Sequence, residues 1–295
     1  MSRILPLFFV AVPAAVFGLV PVPPSPPAPG AGVGNGARPN VDSARAEFAA
    51  GRYWHAARHL EELRADGVAF GPGETLLLAR SQAGYRDWDG VLRTLADAGW
   101  LAEEQGGLGL RVLARALEAR EEWPEAAAAY GRYLGTRHGL AAGDRTAVGA
   151  RRVRSLARIG VEDVVTPVLD TVAAESPIVA SWVALEVARE RAAEGDTAMV
   201  RGVLVRVSDA DARDRAWRLE ASATLAAGDT AGAVRLYAEL AAPEEPPARR
   251  ALAQGVLGDL ALAAGDTAGA VGRYGTALDL GPWTSGGVEG ARRLV

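Results

Sequence analysis

The sequence predicts an all-α protein built as a helical-repeat solenoid of about seven helix pairs. The tetrapeptide Gly-Asp-Thr-Ala occurs three times, starting at Gly195, Gly228 and Gly265. Equivalent turn positions extend backwards through Gly160, Glu121, Arg86 and Gly51, so the steps along the chain are 35, 35, 39, 35, 33 and 37 residues. No alternating apolar and polar run of the kind that marks a strand lies between these turns.

Taken from the N-terminus, the 295-residue chain opens with Met1, Ser2 and Arg3, and then runs from Ile4 to Val20 without a charge. That is the order of a secretory signal, and it predicts export, with residues 1–20 acting as a signal peptide or an uncleaved N-terminal anchor. Pro6 and Pro13 interrupt the run, which is 17 residues long and so at the short edge of what spans a bilayer. Residues 21–40 are dense in Pro and Gly, a composition that buries little apolar area and reads as an extended linker. Gly32, Gly34 and Gly36 lie in it, but the GxGxxG spacing of a phosphate-binding loop is not met and no strand precedes them.

Residues 41–282 carry the repeats. Five positions after each turn stands a small or β-branched residue: Ala56, Val91, Ala126, Val165, Val200, Ala233 and Ala270. Nine after it stands a large one: Leu60, Leu95, Tyr130, Leu169, Leu204, Tyr237 and Tyr274. The gap of four puts both classes on one face of a helix beginning just past the turn. Seven before each turn is a second small set, Ala44, Ala79, Ala114, Val153, Ala188, Ala221 and Gly258. Each unit therefore reads as two antiparallel helices meeting at small residues, and stacked neighbours supply the core that one pair cannot build. Residues 283–295 are long enough for a capping helix.

On these residues the chain resembles the tetratricopeptide repeat (TPR) family over Val41 to Pro282. The last unit carries the pattern most fully: Leu257-Gly258, Gly265-Asp266, Ala270, Tyr274, Ala277 and the closing Pro282, while Trp217 stands where the family's first-helix Trp is expected. Most other units lack that Trp, and only Pro177 and Pro282 hold the closing position. The resemblance implies a right-handed superhelix with a concave groove, a protein or peptide ligand, and no catalytic residue. Heavy use of Ala, Arg and Gly fits a high-GC bacterial source.

Composition narrows the functions. The formal charge is -4, from 32 basic residues that are all Arg and 36 acidic ones. Nucleic acid is a poor partner for such a chain, because phosphate tracking needs a basic excess. With no Cys there is no disulfide, thiolate site or thiol nucleophile, and only three His remain. His55, His59 and Glu62 share a helical spacing suited to zinc, yet no HExxH base accompanies them and they read as solvated surface. His138 stands alone. No metal or cofactor is expected.

One position after the upstream small residue, Arg45, Arg80, Arg115, Arg154 and Arg189 recur in five consecutive units before Ser222 and Asp259 break the series. In TPR proteins this position looks into the groove, so the series is the candidate peptide-binding track, suited to an acidic segment or a terminal carboxylate. With Lys absent, the same arginines also suit plain solvated helix faces. Trp88, Trp123 and Tyr53 follow their turns at matching positions and read as packing, whereas Trp100 and Trp283 sit beside Gly or Pro as candidate exposed contacts.

The expected function is a noncatalytic, exported scaffold, periplasmic or extracellular, that binds a protein segment. The alternative takes an exported helical superhelix as similar to the helical region of soluble lytic transglycosylases, allied with a peptidoglycan-cleaving domain outside this chain. The Glu-Ser motif of that domain has one counterpart, Glu175-Ser176, but Pro177 follows, and the pair reads as the start of a helix.

Overall fold

A computed structural model describes residues 40–136, 141–160 and 162–295. The expected signal or anchor, the linker up to Pro39 and His138 lie outside the described residues.

Within these residues the chain is helical throughout. Its helices are α1 Val41–Ala49, α2 Tyr53–Ala65, α3 Pro72–Gly84, α4 Trp88–Leu95, α5 Leu108–Ala119, α6 Trp123–Leu134, α7 Ala142–Ile159, α8 Glu162–Glu175, α9 Pro177–Ala193, α10 Thr197–Leu204, α11 Ala210–Ala226, α12 Thr230–Leu240, α13 Pro247–Ala263, α14 Thr267–Leu280 and α15 Ser285–Leu294. A short 3₁₀ turn, Glu104–Gly107, precedes α5. Each odd-numbered helix packs on the even one that follows it, and the even one packs on the next odd one.

The turn inside each pair has a local cause. Gly51, Arg86, Glu121, Gly160, Gly195, Gly228 and Gly265 all adopt left-handed backbone, with φ of 75°, 68°, 61°, 78°, 80°, 87° and 84°. This conformation closes the first helix by turning spare amides back onto its last carbonyls. At Gly228 the N–H donates to the Leu225 carbonyl at 3.0 Å, and the following Asp229 N–H reaches Thr224 at 3.1 Å. The next residue then opens the second helix. The carboxylates of Asp87, Asp196, Asp229 and Asp266 accept from the N–H groups of Gly90, Met199, Gly232 and Gly269 at 2.8–3.0 Å. A Gly-Asp dipeptide thus ends one helix and starts another.

Packing follows the small and large classes. All seven residues five past the turn and all seven seven before it are buried, and the large ones between Leu60 and Tyr274 are buried with them. Gly258 shows why the first-helix position is small: a Cβ there would press into the ring of Tyr274. Burying each Leu or Tyr of this set contributes about 1.5–3 kcal/mol. Other starts are equally legible. Asn40 accepts from the Ser43 N–H at 2.7 Å, and Ser176 caps α9 with Pro177 as its first residue.

The chain closes on α15, which lies against α13 and α14. Gly286, Gly287 and Gly290 are buried in that contact, and a side chain at Gly286 would meet the backbone of Ala251 and Leu252. Among the described residues, no helix is long and apolar enough to cross a membrane.

Candidate functional site

The odd-numbered helices form a row whose charged side chains reach from one helix to the next. Arg45 on α1 donates to Glu74 on α3 at 3.1 Å and to Asp42 on its own helix at 2.9 Å. Arg80 on α3 lies over the Phe48 ring of α1, 4.6 Å from its centroid, and has no carboxylate partner among the described residues. Burial, and after it the positive charge of Arg111 on α5, push the Arg80 guanidinium below its ordinary value. Arg115 on α5 stands 3.8 Å from Glu118, which also accepts from Arg151 on α7 at 3.0 Å and from the Tyr130 hydroxyl. Arg154 on α7 donates to Glu186 on α9 at 2.8 Å. Arg189 on α9 is exposed, with no ion pair or hydrogen bond among the described residues.

The five arginines of the series therefore sit on five successive odd helices in unequal surroundings. Arg45, Arg115 and Arg154 face carboxylates, Arg80 is stacked and flanked by another arginine, and Arg189 stands free. Exposed pairs of this kind contribute about 0.2–1 kcal/mol each and exchange readily with an incoming anion.

Helix α7 concentrates the basic charge. Besides Arg151 and Arg154 it carries Arg145, which donates to Glu175 at 2.7 Å, and Arg158, which donates to Glu190 at 2.6 Å. Arg158 also covers the Trp123 ring. Burial raises the pKa of Glu190, with Arg158 opposing it. Toward the C-terminus the sign changes: Asp259 occupies the series position, accepts from the Tyr274 hydroxyl at 2.8 Å and pairs with Arg293 on α15.

Other residues singled out by the sequence take structural places. Among the described residues, no three His, Asp or Glu side chains gather in a way that could hold a metal. Glu62 pairs with Arg58, His55 packs edge-on against Trp54, and the Nδ1 of His59 is buried without a hydrogen bond. Glu175 is held below the ordinary carboxylate range by its bond from Arg145, the opposite of what a general acid needs. Trp88 and Trp100 are partly buried against the core, while Trp283 is 95% exposed.

Sequence reasoning placed the arginines and missed their partners. The only available signal was acidic residues recurring 29–33 positions after or before an Arg, as in Arg45–Glu74, Arg151–Glu118 and Arg154–Glu186. It also missed the stacked rings Trp182 under Arg215 and Trp217 under Arg249, which join α9 to α11 and α11 to α13.

Fold and site together define an all-α helix-pair repeat protein with a charged face along its first helices. No protein-family model matches the chain, and no curated protein matches it. Among solved structures it is similar to the C-terminal part of a TPR repeat-containing protein from Cytophaga hutchinsonii, with a TM-score of 0.47 and 13% identity over 85% of this chain and 99% of that one. It is also similar to a tetratricopeptide repeat protein from Parabacteroides merdae, with a TM-score of 0.43 and 14% identity over 85% of this chain and 96% of that one.

Proposed function

We propose that this chain is an exported, noncatalytic scaffold of the cell envelope whose first-helix face, the concave groove of a TPR-like array, binds a protein segment rich in acidic residues. The observation that carries this reading is the run of arginines on five successive odd helices, with Arg80 and Arg189 lacking any carboxylate among the described residues. An acidic segment laid along it gains charge-assisted, two-pronged hydrogen bonds, each worth about 1.5–3 kcal/mol when desolvated. The paired arginines contribute by exchanging an internal carboxylate for one of the ligand. Export is read from Ile4 to Val20, and the linker would hold the array clear of the membrane if the segment is retained as an anchor.

The test is affinity capture from an envelope extract with the full chain as bait, followed by identification of what is retained at low and at high salt. The expected result is an exported protein with an acidic segment, released by salt. Retention of basic or purely apolar partners, unaffected by salt, overturns the reading.

A further inference from the structure

A cleft lies away from the arginine series, and what is drawn from it stands independently of the scaffold reading. Leu78 and Gln82 are on α3 two residues to either side of Arg80, which at 100° per residue puts them on the opposite side of that helix. There, between α2 and α4, a cleft of about 500 Å³ opens. Glu61, Arg64 and Ala65 of α2 form one wall, Gly90, Arg93 and Thr94 of α4 the other, and Leu78 and Gln82 the floor.

Two features distinguish this cleft. Gln82 is only 4% exposed, yet its carboxamide is fixed from both ends: its Nε2 donates to Glu61 at 3.1 Å and its Oε1 accepts from Thr94 at 2.9 Å. A carboxamide has two N–H groups and two acceptor lone pairs, so one of each is left over. The two walls also carry the exposed Arg64 and Arg93, neither of which has an ion pair or hydrogen bond among the described residues, where most arginines are paired, while the one carboxylate of the lining, Glu61, is engaged by Gln82.

We infer that this cleft binds a small acylamino-carboxylate, with its carboxylate held by Arg64 and Arg93 and its amide paired with the free N–H and lone pair of Gln82. A carboxylate placed at two guanidinium groups gains the strong form of hydrogen bond, and the fixed amide adds selectivity that a bare anion site lacks. The volume falls within the range of small-ligand sites, about 300–1,000 Å³. Its mixed polar and apolar lining suits a short, charged molecule.

The probe is N-acetyl-L-alanine, titrated into the full-length protein and followed by the side-chain amide resonances of Gln82 in ¹H–¹⁵N spectra. Acetate and N-methylacetamide serve as carboxylate-only and amide-only controls. Saturable movement of the Gln82 resonances at millimolar probe is expected, with acetate and N-methylacetamide each binding at least about tenfold more weakly. The exposed pair Arg64→Gln and Arg93→Gln should weaken the probe by about tenfold or more while leaving the melting temperature unchanged. No saturable shift, equal binding of acetate, or full binding by the double variant overturns the site.

Discussion

Glu121 occupies with φ of 61° the turn position that Gly228 occupies with φ of 87°. An L-residue in left-handed backbone is disfavoured by about 1–2 kcal/mol, whereas glycine gives up about 0.5–1 kcal/mol of extra chain entropy on folding. The Glu121 side chain is exposed, so its removal costs little packing. Glu121→Gly should therefore stabilise the protein by about 0.5–1 kcal/mol. Gly228→Ala is the converse: no heavy atom lies within 4 Å of the added Cβ, so only the backbone term acts, and a loss of about 1 kcal/mol is expected. For a chain of this size 1 kcal/mol moves the melting temperature by roughly 2–4 °C. Urea and thermal unfolding followed by far-ultraviolet circular dichroism read both variants. A less stable Glu121→Gly protein, or an unchanged Gly228→Ala protein, would refute the assignment of these residues to a shared helix-closing turn.

Gly286→Val should drive α15 off α13, seen as faster tryptic cleavage at Arg292 and Arg293 with the rest of the chain still helical. Burial, helped by Asp259, pushes Tyr274 from 10.0 up to about 12, so its phenol keeps its proton longer when folded than when unfolded. Its contribution is complete below pH 10 and is lost as pH rises toward 12, a fall that Tyr274→Phe should flatten in alkaline unfolding curves. Arg145 lowers Glu175 from 4.5, so that pair's contribution is present above pH 4.5 and fades as pH drops through the lower folded value; Arg145→Gln should soften acid unfolding. Placing Arg at Phe9 and Val10 should hold the protein in the cytoplasm on fractionation, and unchanged fractionation would remove export from the account.

How much of this was legible in the sequence depends on range. The turns at Gly195, Gly228 and Gly265 are legible because a Gly-Asp dipeptide both ends and starts a helix within two residues. Those at Gly51, Arg86, Glu121 and Gly160 are legible only through their spacing and surroundings, and neither Arg nor Glu announces left-handed backbone. The small and large sets were legible because each helix face repeats every unit. The surroundings of the arginines were not: whether Arg154 meets Glu186 depends on how α7 and α9 lie against each other, 32 residues apart in the chain. Trp100 shows the same limit. Beside Gly99 it reads as a candidate exposed contact, but it is partly buried against a core that draws on α4, α5 and α6.

The claim at the centre is that the first-helix arginines recognise an acidic segment. Its most direct test is the affinity of the captured segment for the wild-type chain and for the triple variant Arg80→Gln, Arg115→Gln and Arg154→Gln, measured at several salt concentrations. Gln removes the charge while keeping a similar helix propensity, so the helical content should be retained. The account predicts weaker binding at low salt and a flatter salt dependence in the triple variant. Equal affinity for both proteins at low ionic strength would contradict it and leave the arginine series as a solvated helix face.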